Sequence, residues 1–170
     1  MSDKTFNILV LCTGNSARSI LGEALFKHLG NQSRPGRIQA FSAGSRPCGQ
    51  VHPLALETLA RHGMALPEAR SKSWDEFAAP GAPVIDYIFT VCAAAAGEAC
   101  PIWPGHPATA HWGIADPAHV QPLEAQRAAF EAAYRALRQR VEAFLALPLE
   151  RMTGAEVAAA AARIHAELEA

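Results

Sequence analysis

The segment Thr5–Cys12, TFNILVLC, constrains this chain more than any other. It is rich in Val, Ile and Leu on consecutive positions, so it reads as a strand buried on both faces, as strands of parallel sheets are. At Cys12 the apolar run stops. The chain passes through TGNSARS and enters ILGEALFKHLG, where Ile20, Leu21, Leu25 and Leu29 stand near helical spacing. Gly30-Asn31 is expected to stop that helix. A buried strand, a short glycine-bearing loop and a helix form the first half of a βαβ unit.

The rest of the chain repeats the alternation. Arg37–Gly44 reads as a second strand ending in a glycine turn, and HPLALETLARHGM as a helix ending at Gly63. Ser73–Phe77 looks like a short helix start, and Val84–Cys92 like the third strand. Residues 93–116 read as a long functional loop holding a fourth strand near TAHWGI. A helix is predicted over 123–145, with Pro148 as its stop. Thr153–Glu156, TGAE, fits a capping box before an alanine-rich tail helix. Strands alternating with helices imply an α/β three-layer domain with a four-stranded parallel sheet over 1–147, and a C-terminal helical extension over 148–170. In such folds the site lies at the carboxyl ends of the strands. Cys12, Gly44, Cys92 and Asp116 all end or follow predicted strands.

Composition removes several function classes. The 170 residues suit one domain with a useful core, and no apolar run approaches the roughly 18 residues of a membrane span. The net charge is −1 with no basic stripe, so neither nucleic acid nor membrane is expected as a partner. No export signal is evident, which points to a cytoplasmic protein whose four cysteines, Cys12, Cys48, Cys92 and Cys100, are free or functional thiols rather than disulfides.

The first loop carries the chemistry. Gly14 and Asn15 tolerate unusual backbone angles, so Thr13, Gly14, Asn15, Ser16, Ala17 and Arg18 can curl and aim N–H groups inward at a helix N-terminus. Such a nest binds an oxyanion, and the Arg18 guanidinium adds a bidentate clamp. The same field is expected to lower the pKa of Cys12 and make it a nucleophile beneath the bound anion. Ser19 is placed to tune the leaving ability of that thiolate. The plainer alternative is a buried cysteine at a strand end with a surface arginine nearby. A nucleotide loop is disfavoured because no Gly-Lys-Ser/Thr follows.

These residues resemble a known family. VLCTGNSARS is similar to the phosphate-binding loop of the low-molecular-weight protein tyrosine phosphatases and of the arsenate reductases that share their fold. FSAGS (41–45), HPLALETLARHG and ADPA (115–118) resemble further segments of the family, in the family's order. The likeness covers roughly residues 6–147. It implies Cys12 as nucleophile and Asp116 as the general acid that protonates the departing oxygen.

Two places separate the branches. Ala118 follows Pro117 where the tyrosine phosphatases usually carry an aromatic residue. In VCAAAAGEACP, Cys92 and Cys100 match a region where the arsenate reductases similarly carry a redox cysteine pair. The resemblance therefore implies an arsenate reductase for arsenic detoxification, with Cys92 attacking the Cys12–arsenic adduct and Cys100 carrying the disulfide outward. Phosphate and sulfate would compete with arsenate. A phosphotyrosine or small phosphate-ester phosphatase is the alternative, and a non-catalytic anion-binding domain is a further one.

No tightly bound cofactor is implied, only an external thiol reductant. Ala17 stands where thioredoxin-coupled members often have another cysteine, which leaves thioredoxin and glutaredoxin with glutathione both open. Cys48 reads as a bystander or an alternative resolving thiol. Cys92 and Cys100 with His106 and His111 match no compact zinc motif. Some reductases of the family hold potassium, and Asn15, Glu23, Ser42 and Asp75 fall at the matching positions. The plain reading of that set is a loop-shaping asparagine and two ordinary helix acids.

Overall fold

The structure is a computed structural model that describes residues 4–92 and 107–169. In chain order the elements are β1 (Phe6–Cys12), α1 (Arg18–Ser33), β2 (Ile38–Gly44), α2 (Pro53–Arg61), α3 (Asp75–Ala78), β3 (Tyr87–Thr90), β4 (Ala108–His111), α4 (Leu123–Leu145), a 3₁₀ turn at Leu149–Arg151 and α5 (Gly154–Glu169). The four strands form one parallel sheet in the order β2-β1-β3-β4.

The central strand shows why TFNILVLC has no polar face. Ile8 and Val10 enter the large core shared with α1, α2 and α4, while Leu9 and Leu11 enter a second cluster with Trp74, Phe77, Ile85 and Ile88. With period 2 and both sides dry from Ile8 to Leu11, each of those positions is apolar, and the one polar residue of the strand, Asn7, is only half-buried. The second layer is thin: α3 has one turn, and Phe77 with Trp74 supplies much of its apolar cover.

Two expectations on element ends are corrected. Gly30 does not end α1, which runs on to Ser33. A Cβ at Gly30 would lie 2.8 Å from the Ile38 Cβ, so this glycine lets the helix approach β2 closely instead of breaking the helix. Likewise β3 is four residues long and not the whole of Val84–Cys92. Hydrogen bonds from Asp86 N to Asn7 O (2.8 Å) and from Val91 N to Leu11 O (3.0 Å) continue its pairing with β1 at either end.

The tail helix closes the sheet edge. The capping box forms reciprocally, Thr153 N to Glu156 Oε1 at 2.9 Å and Glu156 N to Thr153 Oγ1 at 3.2 Å. From there α5 lies on β4, the edge strand, whose exposed pairing groups would otherwise invite another chain. Trp112, fully buried, donates its indole N–H to Ala161 O at 2.9 Å, and Val157 and Ala161 belong to the main core. Arg140 of α4 reaches across to His165 Nδ1 (2.9 Å) and Glu169 Oε1 (2.7 Å). Among the described residues no helix is long and apolar enough to cross a membrane.

Candidate active site

Strand order decides where the site is. The chain passes from β1 to β2 on one side and crosses back to β3 on the other, so the order reverses at β1 and a crevice opens at its carboxyl end. Cys12 ends β1 and Gly44 ends β2, directly opposite in register. Cys92 follows β3 on the other side of β1. Two residues 80 positions apart, Cys12 and Cys92, are thereby brought together, and the two thiols are hydrogen-bonded. They are 6 % and 4 % exposed.

The anion loop is shaped from outside. Its carbonyl groups are taken by the segment after β2: Arg46 N donates to Thr13 O (2.9 Å), Cys48 N to Gly14 O (3.0 Å) and His52 N to Ser16 O (2.9 Å). Ser71 Oγ adds a second donor to Gly14 O at 3.1 Å. With these carbonyls held outward, the alternating N–H groups are left to face the crevice. Gly44 completes the arrangement, because a Cβ there would collide with the carbonyl oxygens of Thr13 and Cys12.

Inside the loop, Asn15 adopts a left-handed backbone with φ 45°. Its fully buried side chain donates to Ser19 Oγ (2.8 Å) and Ser42 Oγ (3.0 Å) and accepts from Lys72 N (2.9 Å). Ser19 is thus engaged by Asn15 within the loop. Arg18 opens α1, donates to Ile114 O at 2.9 Å and stands 3.5 Å from Asp116 Oδ2. The expected clamp and the expected acid therefore share one site. Asp116 also accepts from Ala118 N at 2.9 Å, which fixes the turn. Cys12, the loop, Arg18, Asp116 and Ala118 line a pocket of about 70 Å³. At ~10–15 Å³ per water-sized occupant, that is room for about five to seven heavy atoms, enough for a tetrahedral oxyanion. Ala118, not an aromatic ring, borders it.

The expected acidification of Cys12 is not what the structure gives. The hydrogen bond with the Cys92 thiol and burial raise its pKa far above the usual thiol range, outweighing the lowering by Arg18 and by the Gly14 backbone. A sulfur that accepts the Cys12 proton favours the thiol, and negative charge on Cys92 repels a second thiolate beside it, an effect invisible in the local motif. Cys92 in turn accepts from Thr13 N at 3.3 Å, so it sits against the first amide of the loop.

Among the remaining expected residues, Cys48 is exposed at the rim. Its thiol lies 3.1 Å from Gln50 O, and its pKa is held below the usual thiol value by backbone hydrogen bonding at Gln50 first and by Ser16 next. Cys100 and His106 lie outside the described residues. His111 bonds Thr90 Oγ1 on β3 at 2.8 Å. Of the potassium set, Asn15, Glu23 and Ser42 do meet in one buried network. Asp75 is exposed at the start of α3, bonded to Ser73, and the Nζ of Lys72 stands 3.8 Å from Glu23 Oε1. Lys72 and the backbone donors of the 46–52 segment were not read from sequence. A lone lysine in a polar string carries no signal of burial, and backbone donors carry no residue identity at all.

The description of the low molecular weight phosphotyrosine protein phosphatase family matches residues 7–158, and the chain belongs to that family. It is 36 % identical over 131 residues to an arsenate reductase of Bacillus licheniformis, a match covering 76 % of this chain and 86 % of the relative. Its fold is similar to a solved arsenate reductase in the phosphate-binding state, with a TM-score of 0.63 at 23 % identity over 84 % of this chain and 98 % of the other. A thioredoxin-dependent arsenate reductase of Corynebacterium glutamicum is similar at a TM-score of 0.54 and 22 % identity, covering 84 % of this chain and 64 % of that one. The family match extends past Pro148 into the start of α5.

Proposed function

We propose that this protein is an arsenate reductase acting in the cytoplasm. The observation that carries the reading is Cys92, a second buried thiol hydrogen-bonded to the nucleophile at the base of the anion loop. A phosphatase needs one thiol there, whereas a reductase needs two. The relationship to the Bacillus licheniformis enzyme supports the same reading.

The loop amides and Arg18 bind arsenate. Cys12 sulfur attacks arsenic, its proton is lost, and an oxygen departs as water with a proton from Asp116. Cys92 then attacks the Cys12 sulfur. The S–As bond breaks, its electron pair stays on arsenic, and arsenite leaves as As(III). The two electrons come from two thiols, which end as a Cys12–Cys92 disulfide. Cys100 attacks Cys92 next, freeing Cys12 and moving the disulfide outward to an external dithiol of the thioredoxin kind, or to glutaredoxin with glutathione. Protonated Cys12 must lose its proton first, a loss that the Arg18 charge and the Gly14 backbone favour.

The test is arsenate-dependent NADPH oxidation through thioredoxin or glutaredoxin systems. Cys12→Ser should lose at least ~10³-fold in turnover. Cys92→Ser should lose ~10²-fold or more of multiple turnover while still releasing water in forming the first adduct. Full turnover by Cys92→Ser would sink the relay. Efficient aryl phosphate hydrolysis without arsenate turnover would establish the phosphatase reading instead.

A further inference from the structure

Beneath the anion loop lies a pair of opposite charges that the chemistry at Cys12 does not use. Glu23 and Lys72 are 7 % and 8 % exposed, with Nζ 3.8 Å from Glu23 Oε1 and donating to Arg70 O at 3.0 Å. Glu23 accepts from Ser42 Oγ, Ser42 Oγ accepts from Asn15 Nδ2, and Asn15 Oδ1 accepts from the backbone N–H of Lys72 itself. The chain of contacts therefore closes on Lys72. Asn15 is the residue that most needs holding: it is the one non-glycine residue with positive φ among the described residues, a conformation that costs energy outside glycine. A buried carboxylate without a counter-charge would take up a proton and turn from acceptor to donor, disturbing Ser42 and then Asn15.

We propose that Lys72 is a positioning residue for the anion loop, a built-in cation that balances Glu23 and through Ser42 locks Asn15 in its left-handed conformation. The internal ammonium does the work that a bound monovalent cation would do between Asn15, Glu23 and Ser42. Burial pushes Glu23 up and Lys72 down, and each charge opposes the other's shift, as a coupled pair requires. The inference rests on the proposed function only for the identity of the anion; the binding of any tetrahedral oxyanion tests it.

Inorganic phosphate binding, read by calorimetry in sodium and in potassium buffers alongside thermal melts, decides the matter. Wild-type affinity should be the same in both salts. Lys72→Met should weaken phosphate binding about tenfold, and adding Glu23→Gln should restore it to within about threefold of wild type, because a neutral amide needs no ammonium. If Lys72→Met does not fold, the double variant alone decides by the same criterion. A Lys72→Met protein that melts cooperatively and binds phosphate like wild type overturns the proposal. So does a double variant no better than the single one, or a several-fold gain in wild-type affinity from potassium over sodium. Lost arsenate turnover with intact phosphate binding would count against the reductase reading and leave this one standing.

Discussion

Two charged clusters in this molecule serve different elements with nearly the same chemistry. Under the anion loop, Lys72 meets Glu23, and both side chains are closed off, 8 % and 9 % exposed. At the tail, Arg140 meets Glu169 and His165, but only the arginine is enclosed: its side chain is 3 % exposed and that of Glu169 is 56 %. An enclosed pair cannot exchange a lost partner for water, whereas a half-exposed pair can. The first arrangement thus fixes a geometry, and the second fastens an element. The enclosed cluster surrounds the left-handed backbone of Asn15, and the open one pins α5 against α4 at the β4 edge of the sheet.

The sharpest way to break this comparison is at Asn15. Asn15→Ala removes hydrogen bonds to Ser19, Ser42 and Lys72 N and leaves a side chain at φ 45°. It should destabilise the fold by ~3–5 kcal/mol and weaken phosphate binding well beyond tenfold, by denaturant titration and calorimetry. Asn15→Gly loses the same hydrogen bonds but relieves the backbone, so it should recover ~1 kcal/mol of that loss. Equal stability of the two variants would show that φ is not under strain.

Arg140→Met is the matching change at the tail. It leaves His165 and Ala136 O without their donor and should cost ~1–3 kcal/mol, with phosphate affinity unchanged. A parallel loss of anion binding would show that the two clusters are coupled and break the distinction drawn above.

The smallest effect is a pH dependence. Burial first, and the Arg140 charge next, hold His165 below its usual pKa of 6.5, and burial does the same to His52. A histidine with a depressed folded pKa stabilises the fold above 6.5, and that stability is lost as pH falls below it, because the unfolded chain takes up the proton first. Chemical denaturation from pH 8 to pH 5 should show a shallow decline beginning near pH 6.5. His165→Gln should reduce its slope and His52 should account for the remainder. An unchanged slope would remove His165 from the account.

Much of this was legible beforehand because it is local. The two-sided apolar run of β1, the glycine-bearing loop after it and the reciprocal Thr153–Glu156 cap depend on neighbours a few residues away, and each formed as its pattern requires. Cys12 and Asp116 were legible at strand ends and Arg18 at the start of the first helix, and the parallel topology brought them to one pocket. Gly30 misled because a glycine that permits close packing looks the same in sequence as one that ends a helix; only the position of Ile38 separates them.

By itself, then, the sequence determined the order of elements, the glycine-bearing loop after β1 and the cysteines that end or follow strands. The tertiary structure alone decided which charges are buried and which groups face each other: Cys92 against Cys12, raising the nucleophile's pKa, and Lys72 against Glu23, beneath Asn15. The reason is physical. Local backbone preference acts through neighbours along the chain, but the protonation and pairing of a side chain depend on dielectric and distance, which exist only once strands far apart in sequence lie side by side.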